Sequence, residues 1–194
     1  MNRYRLFGIG SAIILAVVII VSVSFFWGGS NSSSQQSAGQ INQNTLASLN
    51  VTPADVYVSV SNSTIYVNGS ATLLVVMGPM NAPSMYSFEI FGIINPTVVI
   101  KDGSVVNFTV VNVDTDSYHN FVLSQQGPPY NDMGNMMGSS GLMFSMQYLP
   151  PEHSGIYSYQ NVSYTFSSPG TYWYLCTYPG HAANGMYGEI LVSR

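Results

Sequence analysis

The segment YLCTYPGHAANGMYG, residues 174–188, contains three side chains that can bind a soft metal ion. Cys176, His181 and Met186 follow one another at intervals of five residues. Cys176 is the only cysteine, so no intramolecular disulfide can form, and the thiol is a buried small hydrophobe, a reactive group or a metal ligand. The spacing favours the ligand, because it suits a loop that leaves one strand, curls around an ion and enters the next.

The residues around this loop support that interpretation. TYWYLC predicts the strand before the loop and MYGEILV the strand after it, while Pro179-Gly180 and Asn184-Gly185 supply turn residues between them. A second imidazole is available at His119, at the start of the predicted strand HNFVL. One Cys, two His and a weak axial Met form the blue-copper ligand set, so the sequence predicts one copper per chain.

Short β-branched and aromatic runs, separated by Asn, Gly, Pro and Asp, extend from about residue 51 to the C-terminus. They predict an all-β fold, a single antiparallel sandwich or barrel over residues 51–194. The predicted strands are DVYVSVS, STIYVNG, ATLLVVM, SFEIFGII, TVVI, VVNFTVVNV, HNFVL, VSYTF, TYWYLC and GEILV.

The N-terminal residues 1–27 predict an uncleaved membrane anchor. Leu6 to Trp27 carries no charge and is long enough to span a bilayer, and Arg3 and Arg5 precede it. The arginines are expected to stay inside, which places the rest of the chain on the extracellular side of the cell membrane. Residues 28–50 are rich in Ser, Asn, Gln and Gly and predict a flexible linker. Six N-glycosylation sequons agree with an outward domain; they begin at Asn31, Asn50, Asn62, Asn68, Asn107 and Asn161.

Charged residues make up only 6% of the chain. The four basic residues form no patch that could neutralise a phosphate backbone, so nucleic-acid binding is not expected. Residues 28–194 carry two basic and eight acidic side chains, a net charge of 2 − 8 = −6 with His neutral. So few carboxylates leave few native ion pairs to lose in acid, which favours a protein that works at an acidic exterior.

One segment, residues 124–155, interrupts the regular spacing of strands and carries five methionines, at positions 133, 136, 137, 143 and 146. Thioethers bind Cu(I), so this Met-rich loop allows copper storage or delivery as an alternative function. The favoured interpretation is that these flexible side chains pack an irregular loop onto the sandwich. His153 is expected to face solvent in this loop.

The ligand loop resembles that of the cupredoxin family, whose last two strands flank Cys, His and Met and whose other His lies on an earlier strand. The resemblance covers about residues 85–194 and implies a Greek-key sandwich with His119, Cys176 and His181 as equatorial ligands and Met186 as the axial one. It also implies that Asn120 hydrogen-bonds near the Cys176 sulfur and ties the two ligand strands together. Within the family, the CxxxxHxxxxM spacing is most similar to the sulfocyanins, membrane-anchored archaeal proteins, and to the loop of rusticyanins.

The leading functional hypothesis is therefore a monomeric electron carrier that serves respiratory-chain partners, with a terminal oxidase as one candidate. An enzyme with further His-rich copper centres is not expected, because the chain has only three histidines. The electron is expected to leave through His181, whose neighbours Pro179, Gly180, Ala182 and Ala183 carry no charge. The alternative exit is the aromatic run Tyr172 to Tyr174.

Overall fold

Strands form most of the regular structure in the computed structural model, which describes residues 37–131 and 141–194. In these two ranges there are thirteen strands and one short α-helix. The strands are β1 Ser37–Asn42, β2 Val56–Ser59, β3 Thr64–Val67, β4 Ala71–Met77, β5 Phe88–Ile90, β6 Ile93–Ile94, β7 Thr97–Lys101, β8 Val105–Asn112, β9 Val122–Ser124, β10 Leu142–Ser145, β11 Ile156–Thr165, β12 Gly170–Leu175 and β13 Tyr187–Ser193, and the helix is α1 Gln43–Leu49.

The described strands form two sheets. The first has the order β1-β11-β8-β4-β5-β6 and the second the order β10-β9-β12-β13-β7-β3-β2. The predicted two-layer, mostly β fold is confirmed, but the expectation of purely antiparallel pairing was wrong. β4 pairs in parallel with β8, and β7 pairs in parallel with both β3 and β13. The chain passes from the second sheet to the first between β3 and β4, and again between β7 and β8. These two passages lie side by side and run in the same direction, so β3 is parallel to β7 and β4 is parallel to β8.

The core lies between the sheets and is rich in aromatic rings. Phe88 of the first sheet packs edge-on against Tyr174 of the second, with ring centroids 5.3 Å apart. Phe121 packs against Phe88 at 5.8 Å and against Phe108 at 5.0 Å. Phe88, Phe108 and Tyr174 come from strands in which apolar residues alternate with more exposed ones, as in the pattern of β12, so one face of each sheet is apolar. Phe121 directly precedes β9. Cys176 and Met186 belong to the same buried cluster, which places the ligand loop at one end of the core.

Each predicted strand run overlaps an observed strand, and one run is divided into two strands. SFEIFGII forms β5 and β6 rather than one strand, because Phe91 and Gly92 both adopt positive φ, 48° and 80°, and reverse the chain.

The expectation of a flexible linker over residues 28–50 was wrong for its second half. Residues 37–42 form β1, which pairs with β11 from Ser37↔Asn161 to Asn42↔Ile156, and α1 follows directly. The Asn42 side chain caps the helix by accepting a hydrogen bond from the Thr45 amide at 3.0 Å. Backbone pairing at an exposed sheet edge stabilises this polar segment, although it buries few side chains.

The predicted anchor, Leu6 to Trp27, lies outside the described residues. Within residues 37–131 and 141–194, no helix is both long enough and apolar enough to cross a bilayer.

Candidate metal centre

Three strand ends meet at the place where the predicted ligands lie. Leu175 at the end of β12 pairs with Tyr187 at the start of β13 and with Val122 at the start of β9. Cys176 directly follows β12, and His119 lies three residues before β9. The topology therefore brings together residues that are 57 positions apart in the sequence.

The ligand loop between β12 and β13 is a series of tight turns, as the sequence predicts. Gly180 and Gly185 both adopt positive φ, 80° and 102°, which glycine tolerates without steric cost. The Met186 amide donates to the His181 carbonyl at 3.0 Å, and the Cys176 amide donates to the Met186 carbonyl at 3.1 Å. These bonds fold the loop back on itself, so all three of its predicted ligands turn toward the core.

Cys176, His119 and His181 point their donor atoms at one another. The two histidine Nδ1 atoms are 3.1 Å apart. The Cys176 sulfur lies 3.9 Å from Nδ1 of His119 and 3.5 Å from Nδ1 of His181. An ion about 2.1 Å from each corner of a triangle requires sides of about 3.6 Å, which this triangle approaches. The donor set and its dimensions therefore fit a copper ion.

Met186 is completely buried in the hydrophobic cluster that contains Cys176, so the fourth predicted ligand also lies on the core side of the loop. Asn95 fixes the residue before it. The Asn95 amide group donates to the Gly185 carbonyl at 3.1 Å, while its oxygen accepts from the Phe88 amide at 2.8 Å. The first sheet thereby holds the end of the ligand loop in place. His153 is exposed and lies outside the triangle.

Asn120 links the two ligand segments, as predicted. Its backbone amide donates to the Cys176 sulfur at 3.5 Å. Its side-chain oxygen accepts from the Thr177 amide at 2.8 Å, and its side-chain nitrogen donates to the Thr177 hydroxyl, also at 2.8 Å. The segment that carries His119 is thus fastened to the residue that follows Cys176.

The end of the Met-rich segment completes the enclosure of the site, a role that its composition did not reveal. His119 and Leu149 exchange two backbone hydrogen bonds, at 2.8 and 3.3 Å, and the Met146 carbonyl accepts from the Asn120 side chain at 3.3 Å. Met146 is 3% exposed and Met143 packs against the same core, so the packing interpretation is confirmed for these two methionines. Met133, Met136 and Met137 lie outside the described residues.

Asp114 is the functional residue that sequence reasoning missed. Its carboxylate lies 3.0 Å from His119 Nε2, and both side chains are buried. Burial alone would raise the pKa of Asp114, but hydrogen bonds from His119, Asp116 and Ser117 outweigh it and bring that pKa below its ordinary value. Because the charged carboxylate accepts from Nε2, the proton of a neutral His119 ring stays there and Nδ1 keeps a free lone pair.

Burial governs the acid–base behaviour of the ligands. It lowers the pKa of His181 to about 4, with the neighbouring His119 acting in the same direction. It also lowers the pKa of His119, although Asp114 opposes this. Burial raises the pKa of the Cys176 thiol to about 11, against the effect of the Asn120 and Tyr178 amides. Both imidazoles are therefore available as metal ligands in mild acid.

The depressed histidine pKa values make acid stability depend on copper. An unfolded imidazole protonates near pH 6.5, whereas His181 in the folded chain does so at about pH 4. Its contribution to stability is thus present above pH 6.5 and is lost as the pH falls toward 4. A copper ion held by the His181 imidazole would block that protonation. Between about pH 7 and about pH 4.5, we expect the thermal midpoint to fall clearly for the metal-free chain and much less for the loaded chain. Circular dichroism measures both, and acid unfolding of the loaded chain around pH 5 would contradict this expectation.

Comparison with known proteins agrees with this site. Residues 93–193 match the family described as copper binding proteins, plastocyanin/azurin family, and this range includes all four predicted ligands. Rusticyanin of Acidithiobacillus ferrooxidans is 30% identical over 132 residues, 68% of this chain and 83% of that protein. Rusticyanin of Acidithiobacillus ferridurans is 31% identical over 133 residues, 69% of each. The 1.27 Å structure of rusticyanin from Thiobacillus ferrooxidans superimposes with a TM-score of 0.71 at 27% identity, and covers 81% of this chain and 97% of that one.

The fold and the donor set define a cupredoxin with a type 1 copper site. The chain belongs to the plastocyanin/azurin family of copper-binding proteins, and shares homology with rusticyanin. Its copper ligands are His119, Cys176, His181 and Met186.

Proposed function

We propose that this chain is a membrane-anchored, outward-facing carrier of single electrons, of the sulfocyanin group, which works as a monomer between respiratory-chain components such as a terminal oxidase. The observation that carries the proposal is the asymmetry of the donor set: His181 is 4% exposed, whereas the other three ligands are completely buried. Bound copper supplies the exchange of one electron between Cu(I) and Cu(II). The protein contributes donors that both sheets hold in place, and His181 is the one ligand with any solvent exposure.

The sulfocyanin assignment and the anchor rest on the sequence. The five-residue spacing of the loop ligands, the inserted Met-rich segment and the apolar run Leu6 to Trp27 support them together. Arg3 and Arg5 support an outward domain. The anchor is tested by washing membranes that carry the full chain in high salt and sedimenting them. The chain should remain in the membrane pellet. Release of the chain into the supernatant would overturn it.

An acidic exterior is part of the same proposal. The chain has eight acidic residues in 194, so few charges are available to destabilise the fold when carboxylates protonate. The pKa of about 4 for His181 also keeps this ligand unprotonated in mild acid.

The surface beside His181 suits electron exit because it is aromatic and carries exposed, uncharged loop residues. Tyr86 and Tyr178 flank the imidazole, with ring centroids 5.1 and 4.8 Å from it. Pro179 and Ala183, on either side of His181 in the loop, are exposed. These four uncharged residues form a collar around His181, and a partner can approach the imidazole over this collar with little polar desolvation.

Ala182 does not belong to this collar, contrary to the sequence-based expectation. It is 5% exposed and packs in a small buried cluster with Val122, Tyr130 and Leu175. A carboxylate at Ala182 would disrupt that cluster, so the position cannot test surface contact. Ala183, the next residue, is exposed and serves instead.

Ala183→Asp is expected to slow electron self-exchange between copper-loaded molecules at least about tenfold at low ionic strength, where two new carboxylates face each other. The visible spectrum should remain that of the unchanged protein, because no ligand is altered. Nuclear magnetic resonance of mixed oxidised and reduced full-length protein, above about pH 5 where the carboxylate is ionised, measures the rate.

Ser167→Asp provides the matched control. Ser167 is exposed and precedes β12, whereas Cys176 follows it, so a strand of roughly 20 Å separates the added charge from the copper site. This variant should exchange electrons at nearly the normal rate. Equal rates for the two variants would show that His181 is not the exit.

A further inference from the structure

The carboxylate of Asp114 is held rigidly against the ring of His119. One oxygen, Oδ2, lies 3.0 Å from His119 Nε2. The other, Oδ1, accepts from the backbone amides of Asp116 at 2.8 Å and Ser117 at 3.1 Å. Each oxygen therefore has its own donors, and neither can leave without breaking a hydrogen bond inside a buried site.

The backbone on both sides of Asp114 is fixed as well. Its amide donates to the Asn112 side-chain oxygen at 3.1 Å, and the Asn112 side-chain nitrogen donates to the Leu149 carbonyl at 3.0 Å. Gly78 lies directly against the carboxylate, since a Cβ at that position would come within 2.9 Å of Oδ2. These contacts hold the backbone of Asp114 in place and keep its carboxylate beside the histidine.

We propose that Asp114 is a positioning residue that fixes the orientation of His119 and, through its negative charge, favours Cu(II) over Cu(I) and so lowers the reduction potential of the site. The carboxylate draws the Nε2 proton toward itself and thereby makes Nδ1 a stronger donor. It also adds a buried negative charge one ring away from the ion, where attraction is greater for the doubly charged state. The inference rests on the proposed one-electron function.

Asp114→Asn tests this role because it removes the charge while keeping a similar shape. We expect Cu(II) affinity of the full chain to fall 10- to 100-fold, and Cu(I) affinity to fall less. Each tenfold difference between the two losses raises the reduction potential by about 59 mV for a one-electron couple. Equilibrium titration with each copper ion and a redox titration of the loaded protein measure these three quantities.

Asp116→Asn is the matched control. Asp116 lies two residues away and is exposed, so its replacement makes the same change of charge without touching His119. The reduction potential of the Asp116→Asn variant should match that of the unmodified protein, because solvent screens an exposed charge. Equal potentials for Asp114→Asn and Asp116→Asn would overturn the proposal.

A second measurement keeps the proposal testable if Asp114→Asn does not fold. In the Cu(I) form of the unmodified protein, the Nε2 proton of His119 should give a downfield, slowly exchanging resonance, because it is buried and bound to a charged acceptor. Absence of that resonance would contradict the charged hydrogen bond. Both measurements report on the isolated protein at equilibrium, whereas the electron exit at His181 is tested by self-exchange rates. A negative result for Asp114 is therefore distinguishable from a negative result for the proposed exit.

Discussion

Replacement of Cys176 by serine is expected to leave the protein colourless even in excess copper. The blue colour of a type 1 site arises from sulfur-to-copper charge transfer, and a hydroxyl is a harder and poorer ligand. Cys176 contributes the only sulfur to the triangle of donors in the described part of the chain. The visible spectrum and the copper content after dialysis measure the effect.

Met186→Leu is the control for that variant. It keeps the thiolate and both imidazoles, so the protein should stay blue, and its potential should rise because loss of a weak thioether disfavours Cu(II). A serine variant at position 176 that remained blue would remove Cys176 from the site.

Loss of Cys176 should also abolish proton release on copper uptake. The pKa of the buried thiol is raised to about 11, so the metal-free protein holds that proton at neutral pH and copper must displace it. We expect about one proton per copper for the unmodified chain and none from this position in the variant, as measured with a pH indicator. Apparent copper affinity should accordingly rise about tenfold per pH unit in the unmodified chain, and less in the variant.

Gly188→Ala is expected to destabilise the fold more than an ordinary surface substitution, although it adds one methyl group. Gly188 pairs directly with Tyr174 across β12 and β13, and a Cβ there would overlap the phenol ring. Tyr174 cannot move aside, because it is completely buried and its hydroxyl donates to the Pro96 carbonyl at 2.6 Å. Phe88 and Phe121 confine the ring further.

We expect Gly188→Ala to lower the free energy of unfolding by about 3 kcal/mol, at the upper end for overpacked cores. That loss corresponds to roughly 6–12 °C in the thermal midpoint. Gly39→Ala is the control. Its Cβ would lie 2.9 Å from a ring carbon of Tyr159, but that ring is only half-buried beside the edge strand β1 and can shift. Similar midpoints for the two variants would refute the overpacking argument.

The ligands were predictable because their chemistry is rare in this chain. A single cysteine and three histidines leave few combinations, and the loop that carries three of the four ligands is local in sequence. Its turns follow from Gly180 and Gly185, whose positive φ is a property of single residues. Such signals need no knowledge of the rest of the fold.

What escaped prediction depends on contacts between distant parts of the chain. Asp114 differs from the other carboxylates of the chain because β8 and the turn after it bring its side chain against His119. Its one sequence signal is its position five residues before that ligand. Strand β1 is polar and exposed, so backbone pairing with β11 defines it rather than an apolar pattern. Leu149 contributes to the site through backbone groups, which any residue carries.

The distance in sequence between His119 and His181, 62 residues, gives the copper ion a second role as a cross-link. An ion held by both side chains closes a loop of that length, and closing a loop restricts the unfolded chain by an amount that grows with the logarithm of its length. A loaded molecule that unfolds must either release a ligand or retain this restriction. Bound copper would therefore cross-link the last hairpin to the middle of the chain, and we expect the stability of the folded domain to rise with copper occupancy.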